Sequence, residues 1–263
     1  MADLPESETN PRVLPEQIPK SVWLFSGIAM VVALVEIQFA EQSWAFFYDT
    51  VLTQRLTGLL TAANQFPEFL TIAAIGIAVW IHRPEFRHTL LSMALAIGFA
   101  SLFTGIVKDI TGRARPTSGL RIIHHENRLE ERKEFIAEHP ETILKAENGD
   151  YWLIKSPASV YFSKDRPWFE GEFASFPSGH ATSAFAFAVW LAILFPRGRW
   201  LWYTLAILTC LARVRFRRHH PGDVIAGAVV GYVTAWLVLT SPWFTKQGLA
   251  LSRTIERFAP WTR

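Results

Sequence analysis

The sequence predicts an all-α fold, a six-span transmembrane helical bundle with a mostly helical periplasmic cap between spans three and four. Half of the 263 residues are hydrophobic, including 11 Trp and 20 Phe, a composition that is typical of membrane proteins. Six apolar runs are long enough to cross roughly 30 Å of hydrocarbon. The mean hydropathy is only +0.18, which indicates a polar part outside the bilayer, and the middle of the chain supplies it.

The apolar runs divide the chain into predicted units. The runs lie at roughly 22–40, 66–82, 88–107, 178–195, 199–214 and 222–241. The fourth and fifth runs are short, and buried helices are the alternative for these two. The predicted units are a cytoplasmic tail (1–21), spans one to three with a first motif (22–116), an extracytoplasmic cap (117–176), spans four to six with a second and third motif (177–241), and a second cytoplasmic tail (242–263).

Basic residues in the short loops predict the orientation, because Lys and Arg favour the cytoplasmic side. Such residues precede span one, join spans two and three, join spans four and five, and follow span six (Arg12, Lys20, Arg83, Arg87, Arg197, Arg199, Lys246, Arg253, Arg257 and Arg263). Both termini are therefore expected in the cytoplasm of a bacterium, with the protein in the inner membrane and the cap in the periplasm.

One short outer loop breaks this trend, since it carries Arg213, Arg215, Arg217 and Arg218. An anionic partner on the outer face explains such a loop, and phosphate is the natural candidate. For the last three arginines, non-specific binding of lipid headgroups is the alternative.

Charge and cysteine usage exclude two other classes of protein. The formal net charge of +3 and the pI of about 9.1 are too mild to indicate nucleic-acid binding. The single cysteine, Cys210, can form neither an internal disulfide nor a zinc site, and we expect it to be a small buried residue.

The first motif lies at the outer end of span three. Lys108 and Arg115 are seven residues apart, or about two helical turns. A continuous helix would place both cations on one face, but Gly112 and Pro116 indicate that the helix ends between them.

The second motif, Pro177-Ser178-Gly179-His180, opens span four. Proline suits the first turn of a helix. The unpaired backbone N–H groups at such a helix start form an anion site, so a phosphate can bind there.

The third motif joins spans five and six. Arg213 is followed after five residues by His219, and three more residues lead to Asp223. His219 and Asp223 are one helical turn apart. A hydrogen bond from the His219 ring to Asp223 would fix the tautomer and leave the other ring nitrogen able to attack.

In this order the three motifs resemble those of the type-2 phosphatidic acid phosphatase superfamily, which is related to vanadium haloperoxidases. Ala212 stands where the family usually has a serine, so the hydrogen bond of that serine is missing. The resemblance covers spans three to six, and it does not cover 117–176.

The motif residues match the needs of phosphoryl transfer, which are cations around the equatorial oxygens, an in-line nucleophile and an acid for the leaving oxygen. We expect Lys108, Arg115 and Arg213 to hold the phosphate, with the Ser178 hydroxyl and the Gly179 N–H as further donors. His219 is the predicted nucleophile and His180 the predicted acid and base, and the resemblance implies the same roles. We expect no metal and no other cofactor.

The predicted function is an integral membrane phosphatase that hydrolyses a lipid phosphate or diphosphate at the periplasmic face through a phosphohistidine. The family resemblance implies undecaprenyl diphosphate, phosphatidylglycerol phosphate or phosphatidic acid as substrate, with lipid A as the alternative. A non-catalytic lipid binder and a vanadate-dependent haloperoxidase are further alternatives from other classes. The expected partners are the lipid substrate and the bilayer, and the sequence indicates no protein partner.

Several other polar residues receive weaker expectations. We expect Asp109 and Arg113, inside the first motif, to be solvated. Glu36, in span one, makes either a buried polar contact to another helix or serves near the lipid entrance. Four other histidines are expected at the surface or as hydrogen-bonded core residues (His124, His125, His139 and His220).

Overall fold

The structure is a computed structural model, and it describes residues 14–38, 54–113, 115–116, 143–145, 151–153 and 174–258. These residues form eight α-helices and one pair of short strands. They are α1 (Lys20–Gln38), α2 (Thr57–Ala63), α3 (Phe69–His82), α4 (Thr89–Thr111), β1 (Ile143–Lys145), β2 (Tyr151–Leu153), α5 (Gly179–Leu194), α6 (Arg199–Arg215), α7 (Pro221–Leu239) and α8 (Pro242–Phe258).

A helix occurs at each of the six predicted spans, namely α1 and α3 to α7. The largest difference is at the end of α4, which was predicted at 107 and lies at Thr111. Three of the helices, α1, α4 and α7, are long and apolar enough to cross a membrane, whereas α3 and α5 are shorter apolar helices. A crossing by α3, α5 and α6 stays a prediction.

Helix α5 is the centre of the bundle and packs against α4, α6 and α7. Its sequence is apolar nearly all round, and such a helix is buried on all sides. Phe187, Trp190 and Leu191 are at most 1 % exposed, and Trp190 Nε1 donates a hydrogen bond of 3.0 Å to the Thr89 hydroxyl at the start of α4.

Helices α5 and α7 approach each other so closely that their backbones touch. A Cβ atom at Gly227 would collide with the carbonyl oxygen of Ser178, and one at Gly231 would collide with that of Thr182. The two glycines are four residues apart and share one face of α7, as small residues do where membrane helices pack tightly. This contact sets the distance between the second and third motifs.

The segment predicted as a C-terminal tail contains α8, which docks on the start of α4. Gly248 packs against the backbone oxygen of His88, where a side chain would collide. Arg87, only 7 % exposed, donates to Glu256 at 3.1 Å and to the Trp80 carbonyl oxygen at 2.8 Å. Arg87, a loop charge in the predicted orientation, therefore links α3 and α8 just before α4 begins.

The predicted helical cap is not confirmed. Strands β1 and β2 lie within 117–176 and pair antiparallel, with Ile143 opposite Leu153 and Lys145 opposite Tyr151. Apart from these strands and 174–176, the cap lies outside the described residues.

Candidate active site

The first motif spans the end of α4, and Gly112 separates its two cations. Gly112 has φ 58° and ψ 28°, a left-handed conformation that glycine adopts without strain and that commonly ends helices. Lys108 lies in the last turn of α4, and its Nζ donates to the Ala174 carbonyl oxygen at 2.9 Å. Arg115 lies beyond the helix, as the position of Gly112 predicted.

The second motif is held against α7 at the start of α5. Ser178 is fully buried, and its backbone N–H donates to the Asp223 carbonyl oxygen at 2.9 Å. Its hydroxyl accepts from the Ala181 N–H at 3.5 Å and so caps α5. A Cβ atom at Gly179 would meet no described atom within 4 Å, which leaves room for an anion at the helix start.

The buried carboxylate of Asp223 accepts hydrogen bonds from three residues around the motifs. One carboxylate oxygen accepts from Arg113 Nη1 at 2.5 Å, and the other accepts from the Ser175 hydroxyl at 2.5 Å and from the His220 N–H at 2.8 Å. Arg113 is 1 % exposed, so the prediction that Arg113 is solvated is wrong. The physical reason is the buried charge of Asp223, which requires a cation beside it.

His219 is also buried, and its main partner is a backbone group that the sequence did not indicate. Its Nδ1 lies 2.8 Å from the Ser175 carbonyl oxygen and 3.8 Å from the nearer carboxylate oxygen of Asp223. The predicted hydrogen bond to Asp223 is therefore replaced by one to Ser175. Because a carbonyl oxygen only accepts, Nδ1 holds the proton and Nε2 keeps its lone pair.

The electrostatic surroundings of His219 keep its ring neutral. Burial lowers the pKa of His219 to about 3, although the charge of Asp223 acts in the opposite direction and those of Lys108 and Arg213 add to the lowering. A neutral ring is the form that a nucleophile needs.

The three predicted phosphate-binding cations lie near one another. Arg115 and Arg213 lie close enough to Lys108 for their charges to act on it, and Lys108 and Arg213 also act on both His180 and His219. Like charges repel, so such a cluster is held by the fold and has a strong affinity for anions.

Two residues outside the motifs complete the site, and both belong to the turn between α2 and α3. Asn64 Oδ1 accepts from Arg213 Nη1 at 3.3 Å. Glu68 Oε1 lies 2.9 Å from His180 Nε2. Neither contact could be predicted from the sequence, since more than a hundred residues separate the members of each pair.

Comparison with known proteins identifies the family. The family model described as PAP2 superfamily matches residues 89–247. The chain belongs to the PAP2 superfamily. The match runs from the start of α4 into α8 and includes all three motifs, but not Asn64 and Glu68.

Individual PAP2 proteins resemble the chain over shorter stretches. A lipid A 1-phosphatase of Rhizobium johnstonii is 45 % identical over 78 residues, which are 29 % of this chain and 31 % of that protein. A lipid A 4'-phosphatase of Bacteroides thetaiotaomicron is 40 % identical over 65 residues, which are 24 % of this chain and 28 % of that protein. The matched stretches thus span about a third of these relatives.

A solved structure shares the PAP2 fold. The transmembrane PAP2-type phosphatidylglycerolphosphate phosphatase of Bacillus subtilis superposes with a TM-score of 0.50 over 83 % of this chain and 92 % of that chain, at 18 % sequence identity. This likeness concerns the fold.

Three further residues show how the chain fits around the PAP2 motifs. Ala212, in place of the usual serine, is fully buried in an apolar cluster with Leu60 and Val214. Glu36 of α1 packs against Gly222 of α7. A side chain at position 222 would collide with the Glu36 carboxylate. This placement fits both alternatives for Glu36, which stay predictions.

The arginine-rich loop forms a polar recess of about 490 Å³ beside Arg213, lined also by Phe216 and by three more arginines (Arg215, Arg217 and Arg218). Arg217 adopts φ 55°, an uncommon backbone conformation for a residue with a side chain. Among the described residues, no three His, Cys, Asp or Glu side chains lie close enough to share a metal ion, and metal independence stays a prediction.

Proposed function

We propose that this PAP2 chain is an integral membrane phosphatase that hydrolyses a lipid phosphate or diphosphate through a phosphohistidine on His219. The observation that carries the proposal is the hydrogen bond of 2.8 Å between His219 Nδ1 and the Ser175 carbonyl oxygen. It leaves Nε2 with a free electron pair, and Lys108 and Arg213 lie close enough for their charges to act on the ring.

The first step of the proposed reaction is attack by His219 Nε2 on the phosphorus atom, in line with the leaving oxygen. The P–N bond forms, the P–O bond to the rest of the substrate breaks, and His180 gives a proton to the leaving oxygen. The three cations stabilise the negative charge on the equatorial oxygens.

The second step returns the enzyme to its starting state. A water molecule attacks the phosphorus, and His180 takes a proton from the water. The P–N bond breaks, its electron pair returns to His219 Nε2, and inorganic phosphate leaves. No electrons are gained or lost, so the proposed cycle needs no redox cofactor.

The substrate in this proposal is a membrane lipid with a phosphate or diphosphate group. Two relatives are lipid A phosphatases, and the solved PAP2 structure is a phosphatidylglycerolphosphate phosphatase. Lipid A phosphates therefore stand beside phosphatidylglycerol phosphate, phosphatidic acid and undecaprenyl diphosphate as candidates.

An apolar groove supports a lipid substrate. It has a volume of about 550 Å³ and lies between α1, α6 and α7. Its lining includes Val214, Pro221 and Val224, which neighbour the third motif, and continues along α7 to Tyr232. Since Pro221 follows His219 by two residues, we propose that the groove holds a hydrocarbon chain of the substrate.

Filling the groove tests this part of the proposal. Ala228→Trp places a large side chain in the groove, so we expect turnover of a long-chain lipid phosphate to fall while turnover of a short-chain, water-soluble phosphate is retained. Leu237→Trp, on an exposed part of α7, is the matched control. Equal loss on both substrates would argue against the groove as a chain site.

We infer from the basic residues of the short loops that the site faces the periplasm and that both termini are cytoplasmic. A Cys210→Ser background allows single cysteines to be introduced at Arg197 and at Arg217. An impermeant thiol reagent applied to intact cells should label the cysteine at position 217 and leave that at 197 unlabelled. The reverse pattern would overturn the orientation.

The function itself is tested by phosphate release from the purified protein in detergent with EDTA. The panel contains lipid A phosphates, phosphatidylglycerol phosphate, phosphatidic acid and undecaprenyl diphosphate, and the vanadate-dependent haloperoxidase alternative is assayed in parallel. We expect release from at least one lipid, and almost none from His219→Ala. Tight lipid binding without release would favour the non-catalytic lipid binder.

A further inference from the structure

The turn between α2 and α3, residues 64–68, touches two residues of the proposed phosphatase machinery. Glu68 Oε1 lies 2.9 Å from His180 Nε2, and Asn64 Oδ1 lies 3.3 Å from Arg213 Nη1. Neither residue belongs to the three motifs, and both precede the region that the PAP2 family model matches. This turn is therefore a separate contribution of the chain to the site.

The fold holds the turn firmly in place. Phe66 is 6 % exposed, and its ring lies 5.3 Å from that of Phe187 on α5. The Thr209 hydroxyl on α6 donates to the Ala63 carbonyl oxygen at 2.8 Å. The turn is thus anchored to the two helices that carry His180 and Arg213.

Glu68 directs its carboxylate to His180 and not to its own helix. It is the N-cap residue of α3, with φ −71° and ψ 146°, but its side chain makes no capping hydrogen bond. A carboxylate at this position is already favoured by the helix dipole. It is therefore available as the acceptor for the His180 ring.

The charges around His180 show what this carboxylate can do. Arg213 of α6 and Lys108 of α4 bring positive charge close to the His180 ring, and the Glu68 carboxylate, at 2.9 Å, is the negative charge in contact with it. A general acid must hold a proton before the leaving oxygen departs. His219 differs, because the atom at 2.8 Å from its Nδ1 is an uncharged carbonyl oxygen, and the Asp223 carboxylate at 3.8 Å is already paired with Arg113.

We propose that Glu68 is the positioning residue of the general acid: its carboxylate orients the His180 ring through Nε2 and favours the protonated form of that ring. This inference rests on the proposed function. In it Nδ1 of His180 delivers the proton to the leaving oxygen and later takes one from water, because Nε2 is engaged by Glu68. The Glu68 carboxylate beside His180 and the Ser175 carbonyl oxygen beside His219 thus give different surroundings to two histidines with the same intrinsic pKa.

The test compares Glu68→Gln, which removes the charge but keeps the shape, with Glu68→Asp, which keeps the charge. For Glu68→Gln we expect the basic limb of the kcat profile on a lipid phosphate to move by about one pH unit or more toward lower pH, since His180 loses its proton more readily. At pH 7.5 turnover should fall by about tenfold or more. Glu68→Asp should recover part of both effects.

A leaving group that needs no proton separates acid catalysis from general damage. With nitrophenyl phosphate, Glu68→Gln should retain the initial burst of nitrophenolate that reports the first step. Glu85→Gln, an exposed acid paired with Arg83 at 2.6 Å, is the control and should behave as wild type. Equal loss of the burst and of lipid turnover, or an unmoved basic limb, would overturn the role of Glu68.

A direct measurement keeps this inference distinct from the proposed function. NMR titration of ¹⁵N-histidine-labelled protein should show that His180 loses its proton at lower pH in Glu68→Gln than in wild type, whether or not a lipid is hydrolysed. An identical titration would overturn the inference even if the wild type is active. A clear shift in a protein that releases no phosphate would instead overturn the proposed function.

Discussion

His219 Nδ1 lies 2.8 Å from the carbonyl oxygen of Ser175, whereas the nearer carboxylate oxygen of Asp223 is 3.8 Å away. The tautomer of the proposed nucleophile is therefore set by a backbone group three residues before Ser178. Asp223 acts on His219 indirectly, because its carboxylate accepts hydrogen bonds from Arg113 and from the Ser175 hydroxyl. The Asp223 carboxylate thus fixes Ser175, and the carbonyl oxygen of Ser175 orients the His219 ring.

Breaking the Arg113–Asp223 ion pair should destabilise the protein strongly. Both side chains are at most 1 % exposed, and Arg113→Ala leaves a buried carboxylate without its cation. We expect the free energy of unfolding to fall by about 3–5 kcal/mol, measured as a lower denaturation temperature in detergent. Arg197→Ala, at an exposed loop position, should change it by less than about 0.5 kcal/mol. Similar effects of the two substitutions would contradict a buried pair.

The depressed pKa of His219 predicts a loss of stability in acid. Below pH 6.5 the unfolded chain binds a proton on this histidine that the folded protein does not accept until about pH 3, so stability falls as the pH drops through this window. At pH 5 the loss is about 2 kcal/mol.

His219→Gln removes this titration, so the denaturation temperature of the variant should depend less on pH between 7 and 5 than that of wild type. Parallel pH dependences would show that His219 titrates normally in the folded protein.

Gly227→Ala should damage both stability and turnover. Its Cβ atom would meet the Ser178 carbonyl oxygen, which pushes the second motif away from α7 at a cost of about 1–3 kcal/mol. Gly98→Ala on α4 is the matched control, because its Cβ atom would meet no described atom within 4 Å and alanine favours a helix. Denaturation temperature and phosphate release should both fall for Gly227→Ala alone, and a tolerated Gly227→Ala would contradict the backbone contact.

Removing the side-chain amide of Asn64 should weaken binding of the substrate phosphate without abolishing turnover. Asn64→Ala deletes the hydrogen bond of 3.3 Å that orients Arg213, and one such bond contributes about 0.5–1.5 kcal/mol. We expect kcat/KM for a lipid phosphate to fall by about two- to tenfold. An unchanged value would mean that Arg213 is oriented by other groups.

Much of the fold could be predicted because each membrane span requires an apolar run of many consecutive residues. A span needs a continuous apolar run, and the runs near 88–107 and 222–241 coincide with α4 and α7 within a few residues. Helix α8 also carries a readable signal, since Leu251, Ile255 and Phe258 recur at helical spacing. That pattern is amphipathic and too polar for a span, so the sequence predicts a tail at this position.

The missing parts of the site are contacts that no local pattern encodes. The acceptor for His219 is a backbone atom of Ser175, and every residue has such an atom. Arg113 is buried only because Asp223, more than a hundred residues later, needs a cation beside it. Glu68 meets His180 only after α2, α3 and α5 have packed. The motifs predicted which groups carry charge, and the tertiary structure determines which of them are paired.

The most direct test of the account is to trap the phosphohistidine. His180→Gln is mixed with ³²P-labelled nitrophenyl phosphate, whose leaving group needs no proton, and quenched in alkali, where a P–N bond survives. We predict that label accumulates on the protein, because the variant lacks the base for hydrolysis, and that His219→Ala in the same assay stays unlabelled. Label on the His219→Ala protein, or no label on His180→Gln while nitrophenolate is released in a burst, would contradict His219 as the nucleophile.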